Sequence, residues 1–282
     1  MKKLILSLTS AEQILGIGVN PMKRDKSNNI LPISETLFIP LAARAIESGK
    51  NNPIISDEKS VEIIRAINPE NKIINGGELS TLGILARTKI IDYEVDHILS
   101  HNASPIIINL GAGLDTRISR IDNGLLHWYD LDLPEVIRLR SRFFSENERI
   151  RFISKSVLDP TWIEEVTISE SSTIIIIAEG LLMYFSEEDV SRMLTLLSKH
   201  FPGAHMFFDV VHSYFINKKI SSTFLWGIDH AKDIEKLSPS VKVLQSWSAG
   251  NLLKERQSFI LRMLNFLPAT KNRSQILHIQ FK

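Results

Sequence analysis

The residues best suited to chemistry stand in three short segments, each directly after a run of apolar, largely β-branched residues. The first is NLGAGLDTR, Asn109 to Arg117. Gly111-Ala112-Gly113 makes a tight turn with little side-chain bulk, so a ligand can lie against the backbone. A turn of this kind at the carboxyl end of a parallel strand is where open α/β sheets bind ligands. A dinucleotide fingerprint would place a third small residue three positions after the second glycine; Thr116 stands there, which argues against NAD. The second segment is WYDLDLP, Trp128 to Pro134. Strand geometry puts Asp130 and Asp132 on the same side, and an acid at this place accepts hydrogen bonds from ribose hydroxyls. The alternative is that one of them caps the helix that opens at Leu133-Pro134. The third segment is AEGLLMYF, Ala178 to Phe185. A glutamate that ends a buried strand is costly unless it meets a ligand or a partner, which assigns Glu179-Gly180 to the same site. Tyr184 either lines the pocket or is an aromatic packing residue.

These segments need strands beneath them and helices between. Strand-like runs are Ile106 to Leu110, Leu126 to Leu131, Arg151 to Ile153, Thr173 to Ala178, Ala204 to Val210, Val241 to Leu244 and Gln275 to Phe281. Helical patterns occupy Leu133 to Phe144, Glu187 to His200 and Asn251 to Leu264. Strands alternating with helices predict a doubly wound α/β fold, a mostly parallel seven-stranded sheet covered on both faces with the final pair antiparallel. Before the sheet, helices are expected over Leu37 to Ser48, Val61 to Ile67 and Leu79 to Ser100. Residues 1–104 therefore read as an N-terminal helical cap packed on an α/β core of residues 105–282. The stretch 212–239 reads as an inserted lid or substrate wall, carrying Tyr214, Phe224 and Trp226.

Composition narrows the chemistry. The 282 residues have a formal net charge of +1, which offers no basic footprint for nucleic acid. Without cysteine there is no disulfide, thiolate metal site or cysteine nucleophile. No apolar stretch is long enough to span a membrane. The opening MKKLILSLTS is too short for a signal-peptide core, so a cytoplasmic location is expected. His97 and His101 share a helix face but lack carboxylate partners, and no metal site is expected. His212 and His230 flank the insertion, and one of them could act as a general base because histidine titrates near neutrality. His212, with Tyr184, is the catalytic candidate.

The ordered segments ETLFIPLAARAIES, NPIISDEKSVEII, RTKIID, NLGAGLDTR, WYDLDLPEVIRLR, KSVLDPTWI, AEGLLMYFSEEDV, FPGAHMFFDV, LWGID and ILHIQF resemble the leucine carboxyl methyltransferase superfamily. The nearest branch is the bacterial O-methyltransferases similar to those of tetracenomycin polyketide synthesis. The resemblance implies a class I, Rossmann-like methyltransferase fold and S-adenosyl-L-methionine as cofactor. It also implies that Arg87 reaches the methionine carboxylate, a job suited to a bidentate guanidinium. By the same resemblance Gly111, Ala112 and Gly113 underlie the methionine part, and Asp132, with Asp130 as a second candidate, holds the ribose. Ser156 and Val157 flank the adenine, and Glu179 lies near the amino group. Arg44 belongs to a segment near the pocket and is grouped with the substrate residues Tyr214, Phe224 and Trp226. The family's N-terminal lysine has no counterpart that can be aligned in PISETLF.

Methyl transfer from a sulfonium needs mainly proximity and orientation. A carboxylate acceptor needs no base, whereas a phenol or alcohol does. The expected activity is O-methylation of a small, polyketide-like molecule. Carboxyl methylation of a protein or peptide C-terminus, and non-catalytic binding of a metabolite, are the alternatives. A small-molecule acceptor is the expected partner, with neither nucleic acid nor membrane, and a homodimer is compatible with the sequence.

Overall fold

The computed structural model describes residues 37–67, 77–101, 105–168, 172–216, 224–266 and 272–282. Among the described residues, three helices precede the sheet: α1 (Phe38–Ser48), α2 (Glu58–Ile67) and α3 (Gly77–Leu99). Seven strands follow: β1 (Pro105–Leu110), β2 (His127–Asp132), β3 (Ile150–Ser154), β4 (Thr173–Ala178), β5 (His205–Val211), β6 (Val241–Ser248) and β7 (Ser274–Phe281). Between them lie α4 (Ile118–Ile121), α5 (Pro134–Arg140), α6 (Glu187–His200), α7 (Asp233–Leu237) and α8 (Phe259–Leu264). The sheet order is β3-β2-β1-β4-β5-β7-β6. The β1–β2, β1–β4, β2–β3 and β4–β5 pairs are parallel, and β7 runs antiparallel to both β5 and β6. This is the doubly wound fold expected from the alternation of strands and helices.

The central strands are apolar throughout because both faces are covered. On one face Ile106, Ile108, Ile176 and Phe208 pack with Leu194 and Leu197 of α6. On the other, Ile107, Ile175, Ile177 and Phe207 pack with Ile91 and Val95 of α3. The segment expected as a cap thus supplies, through α3, one covering layer of the sheet. Arg87 continues the Ile91–Val95 stripe by one helical turn, so helix periodicity carries its side chain over the sheet.

Three boundaries differ most from expectation. The helix after β2 ends at Arg140, and Ser141 Oγ bonds back to Ile137 O at 2.9 Å, a local bond that competes with helix continuation. The helix expected over 251–264 is broken by Leu253, which adopts a left-handed φ of 51°; α8 starts afresh with Ser258 accepting from Leu261 N. Strand β6 runs beyond Leu244 to Ser248 because an irregularity between Val243 and Gln245 shifts its register, which hides the alternation from a period-two reading. Residues 217–223 of the insertion lie outside the described residues.

A histidine pair at the start of β5 makes stability depend on pH. His205 Nδ1 and His278 Nε2 are 2.9 Å apart, and His278 stacks on Phe207. Burial, and then the neighbouring His205, push His278 down to about 4. The unfolded chain binds this proton near the ordinary value of 6.5, so folding stability falls as pH drops from there toward 4. The expected loss from this group is about 2 kcal/mol between pH 6.5 and pH 5. Urea unfolding of the wild type and His278→Phe over that range checks this: the variant should lose the slope, and parallel curves would refute the assignment.

Candidate active site

The sheet order reverses between β1 and β4, which opens a crevice at the carboxyl ends of the strands. The turn after β1 lies there, with Gly111 at φ +63° and Gly113 at φ +50°. Gly111 N and Ala112 N both donate to Leu131 O, at 2.8 and 3.1 Å. Gly113 N donates to Asp132 Oδ2 at 2.8 Å. A Cβ on Gly111 would stand 2.7 Å from Leu181 Cδ1, and one on Gly113 2.6 Å from Leu37 Cδ1. Both the backbone conformation and the space therefore require glycine.

The two aspartates of β2 share a face but not an environment. Asp132 is half-buried at the strand end, and its Oδ1 accepts from Leu133 N at 2.7 Å. It does not cap α5, whose N-cap is Leu133 with Pro134 following. Asp130 is fully buried. It accepts from Asn109 Nδ2 at 2.9 Å, Trp128 Nε1 at 2.8 Å and Arg140 Nε at 2.8 Å. This speaks against the ribose reading of Asp130, whose side chain has no exposed surface and both oxygens held by protein donors.

Behind the crevice lies a layer of ion pairs. Glu179, at the end of β4, accepts from Arg87 Nε at 2.8 Å and from Arg117 Nη2 at 2.5 Å. Arg117 also reaches Asp92 at 2.6 Å and Asp115 at 2.5 Å. Arg87 Nη1 reaches Asp209 Oδ2, at 2.9 Å, on β5. Arg120 links Asp92 to Asp57, and Asp57 pairs with Arg44 at 2.9 Å. Burial alone would raise the Glu179 carboxyl, but Arg117 and then Arg87 outweigh it and hold it well below the usual carboxylate range. With every group ionised, the four arginines (44, 87, 117, 120) face five carboxylates (57, 92, 115, 179, 209), leaving one negative charge over. Arg44 is only 3% exposed. Its guanidinium is taken by Asp57 and by Leu114 O, so it belongs to this layer and not to a substrate wall.

A family model described as leucine carboxyl methyltransferase matches residues 38–198, more than half of the chain. The chain belongs to this family. It is an S-adenosyl-L-methionine-dependent methyltransferase. It is similar to the tetracenomycin polyketide synthesis O-methyltransferase of Streptomyces glaucescens, at 28% identity over 225 residues, 77% of this chain and 83% of the relative. It is also similar to an S-adenosyl-L-methionine-dependent methyltransferase of Gibberella zeae, at 26% identity over 78% of this chain and 88% of the other. Among solved structures, an N-methyltransferase of Bradyrhizobium japonicum in complex with S-adenosyl-L-homocysteine is similar at 11% identity and a TM-score of 0.44, covering 86% of this chain and 98% of that one.

The residues present fit the methyltransferase's cofactor. A glycine turn with little side-chain bulk lies beside a half-buried carboxylate at the end of β2, and a guanidinium stands at the end of β4. The remaining candidates divide. Ser156 is half-buried after β3, and Val157 packs its side chain into the core. Tyr184 is exposed, and its ring meets Phe224 edge to face at 5.5 Å. Tyr214 is 48% exposed, against Phe215 at 5.4 Å. Trp226 is 3% exposed and packs in the core cluster beneath β4 and β5. This corrects its substrate reading, because the backbone of 225–226 is pinned to Met183 O and turns the indole inward. His212 Nδ1 accepts from Tyr214 N at 3.1 Å and lies 3.2 Å from Asp229 Oδ1.

Sequence reading missed Asp57, Asp92, Asp115, Arg117, Arg120 and Asp209. Asp209 carried a legible signal, since it interrupts the apolar run MFFDVV, and the same burial cost applies as for Glu179. Asp92 and Arg120 lie on helices, Asp57 and Arg117 directly before them and Asp115 in the loop after β1, where a charge looks like an ordinary solvated one.

Proposed function

We propose that the protein methylates an oxygen of a small, partly apolar acceptor of polyketide type. In this reading Arg87 meets the cofactor's carboxylate, Glu179 its amino group, Asp132 the ribose, and Ser156 with Val157 the adenine. Bound there, S-adenosyl-L-methionine supplies an electrophilic methyl group on a sulfonium. The protein's own task is then to hold the acceptor oxygen in line and exclude water.

The observation that carries the acceptor class is the Tyr184–Phe224 pair at the crevice, where the two rings stand at 68° to each other. An exposed tyrosine ring against a half-buried phenylalanine, next to a polar strand end, suits an apolar ligand with a few placed polar groups. The likeness to a polyketide O-methyltransferase supports the same class. His212 beside Asp229 favours a hydroxyl over a carboxylate. As a base, His212 must hold its resting proton on Nδ1, toward Asp229, and keep Nε2 free. The bond that Tyr214 N donates to Nδ1 leaves the proton on Nε2, so His212 becomes a base only when Nδ1 exchanges that bond for one to Asp229.

Methyl-labelled cofactor with a panel of phenolic polyketides and aromatic acids tests this. Label should enter a small aromatic acceptor and survive mild base, as an ether does; base-labile label would mean an ester and a carboxylate acceptor. Labelling of a peptide C-terminal carboxylate, with every small aromatic left untouched, would overturn the proposal.

A further inference from the structure

We propose that Asp209 is a positioning residue for cofactor capture, holding Arg87 and the Glu179–Gly180 turn in one arrangement. This role presupposes that Arg87 meets the cofactor carboxylate. Asp209 stands on β5 between β4 and β7, almost wholly buried. A carboxylate in the middle of a sheet is costly unless both oxygens are used, and here both are. Oδ1 accepts from Gly180 N at 2.5 Å, and Oδ2 accepts from Arg87 Nη1 at 2.9 Å.

Gly180 shows why the two contacts belong together. Its φ is +69°, and a Cβ there would come within 3.1 Å of Arg87 Nη2. The guanidinium thus lies flat against the turn that Asp209 fastens. Nε is held by Glu179 and Nη1 by Asp209. Nη2 has no acceptor among the described residues, and is the donor left for an incoming carboxylate. Asp209 takes no part in the ligand's own contacts on this view. It decides which edge of Arg87 is presented.

Asparagine at 209 keeps an oxygen for Gly180 N but turns an NH2 toward Nη1, donor against donor. Calorimetry on the wild type, Arg87→Ala, Asp209→Asn and the double variant reads the effect. S-adenosyl-L-homocysteine is one ligand; 5′-methylthioadenosine, which lacks the amino-acid tail, is the other. Asp209→Asn should weaken S-adenosyl-L-homocysteine by about 10–100-fold, and Arg87→Ala at least as much. The double variant should bind about as Arg87→Ala does, because both changes act on one contact. Binding of 5′-methylthioadenosine should be the same in the wild type and Asp209→Asn. Gly180→Ala, which pushes on Nη2 with Asp209 intact, should repeat the selective loss and serves if Asp209→Asn does not fold. Equal losses for both ligands, losses that multiply in the double variant, or an unchanged Asp209→Asn beside a weakened Arg87→Ala would overturn the role of Asp209 alone. An unchanged Arg87→Ala would instead overturn the carboxylate assignment on which it depends.

Discussion

Arg117→Ala is expected to destabilise the protein by about 3–5 kcal/mol, the cost of removing one partner from a buried ionic cluster. Arg117 is fully buried, and each of its three nitrogens holds a different carboxylate: Asp92, Asp115 and Glu179. Without it, Glu179 keeps Arg87, while Asp92 and Asp115 keep only Arg120, at 2.7 and 3.8 Å. Against a typical total stability of about 5–15 kcal/mol, such a loss brings the chain near unfolding at physiological temperature. Arg117→Lys should rescue little, because one ammonium cannot span three carboxylates in a fixed fork. The linkage has a definite sign. The Glu179 carboxyl is held below its ordinary value of 4.5, so its contribution is present above that pH and is lost as pH falls below it. Urea unfolding at pH 7 measures the effect. A loss under about 1 kcal/mol, the scale of an exposed pair, would mean the cluster is hydrated and the ionic layer does not hold the crevice together.

Two neighbouring aspartates on β2 should give opposite phenotypes. Asp132→Ala is expected to weaken cofactor binding by about 10–100-fold, the scale for hydrogen bonds to a charged group, with little effect on folding. It removes the proposed ribose acceptor and frees Gly113 N, whose bond to Oδ2 is 2.8 Å. Asp130→Ala should do the reverse. It strips Arg140 of its partner at 2.7 Å in a fully buried setting, so it costs folding stability on the buried-pair scale of about 3–5 kcal/mol, while molecules that do fold bind cofactor normally. Thermal melts paired with calorimetry separate the two. If Asp130→Ala lost affinity without losing stability, the assignment of ribose contact to Asp132 alone would fail. Burial raises the Asp132 carboxyl despite the two backbone N–H groups on it, so affinity should weaken with acid earlier than an ordinary aspartate would cause.

The alternating pattern of strands and helices was legible because it is local. TIIIIA and PIIINL can satisfy both burial and backbone hydrogen bonding only as central strands, and GAG, DLD and AEG end three of them. Those short-range rules determined the fold class and the position of the crevice. They also marked Gly111, Gly113, Asp132 and Glu179 as strand-end groups. What they could not determine was which charges face each other, because ion pairs join residues far apart in the chain. Arg87 and Asp209 are 122 positions apart, and Arg87 and Glu179 are 92. Asp130 and Asp132 are equivalent by periodicity; only Arg140, folding back from α5, makes one a core anion and leaves the other at the edge. Trp226 and Tyr214 likewise read alike as aromatics in an irregular connection. The bonds from 225–226 to Met183 O turned one inward and left the other facing water. Type and spacing set where the strand-end groups stand, and tertiary packing decided which of them keep a free face for a ligand, because the cost of burying a charge depends on what the rest of the chain brings beside it.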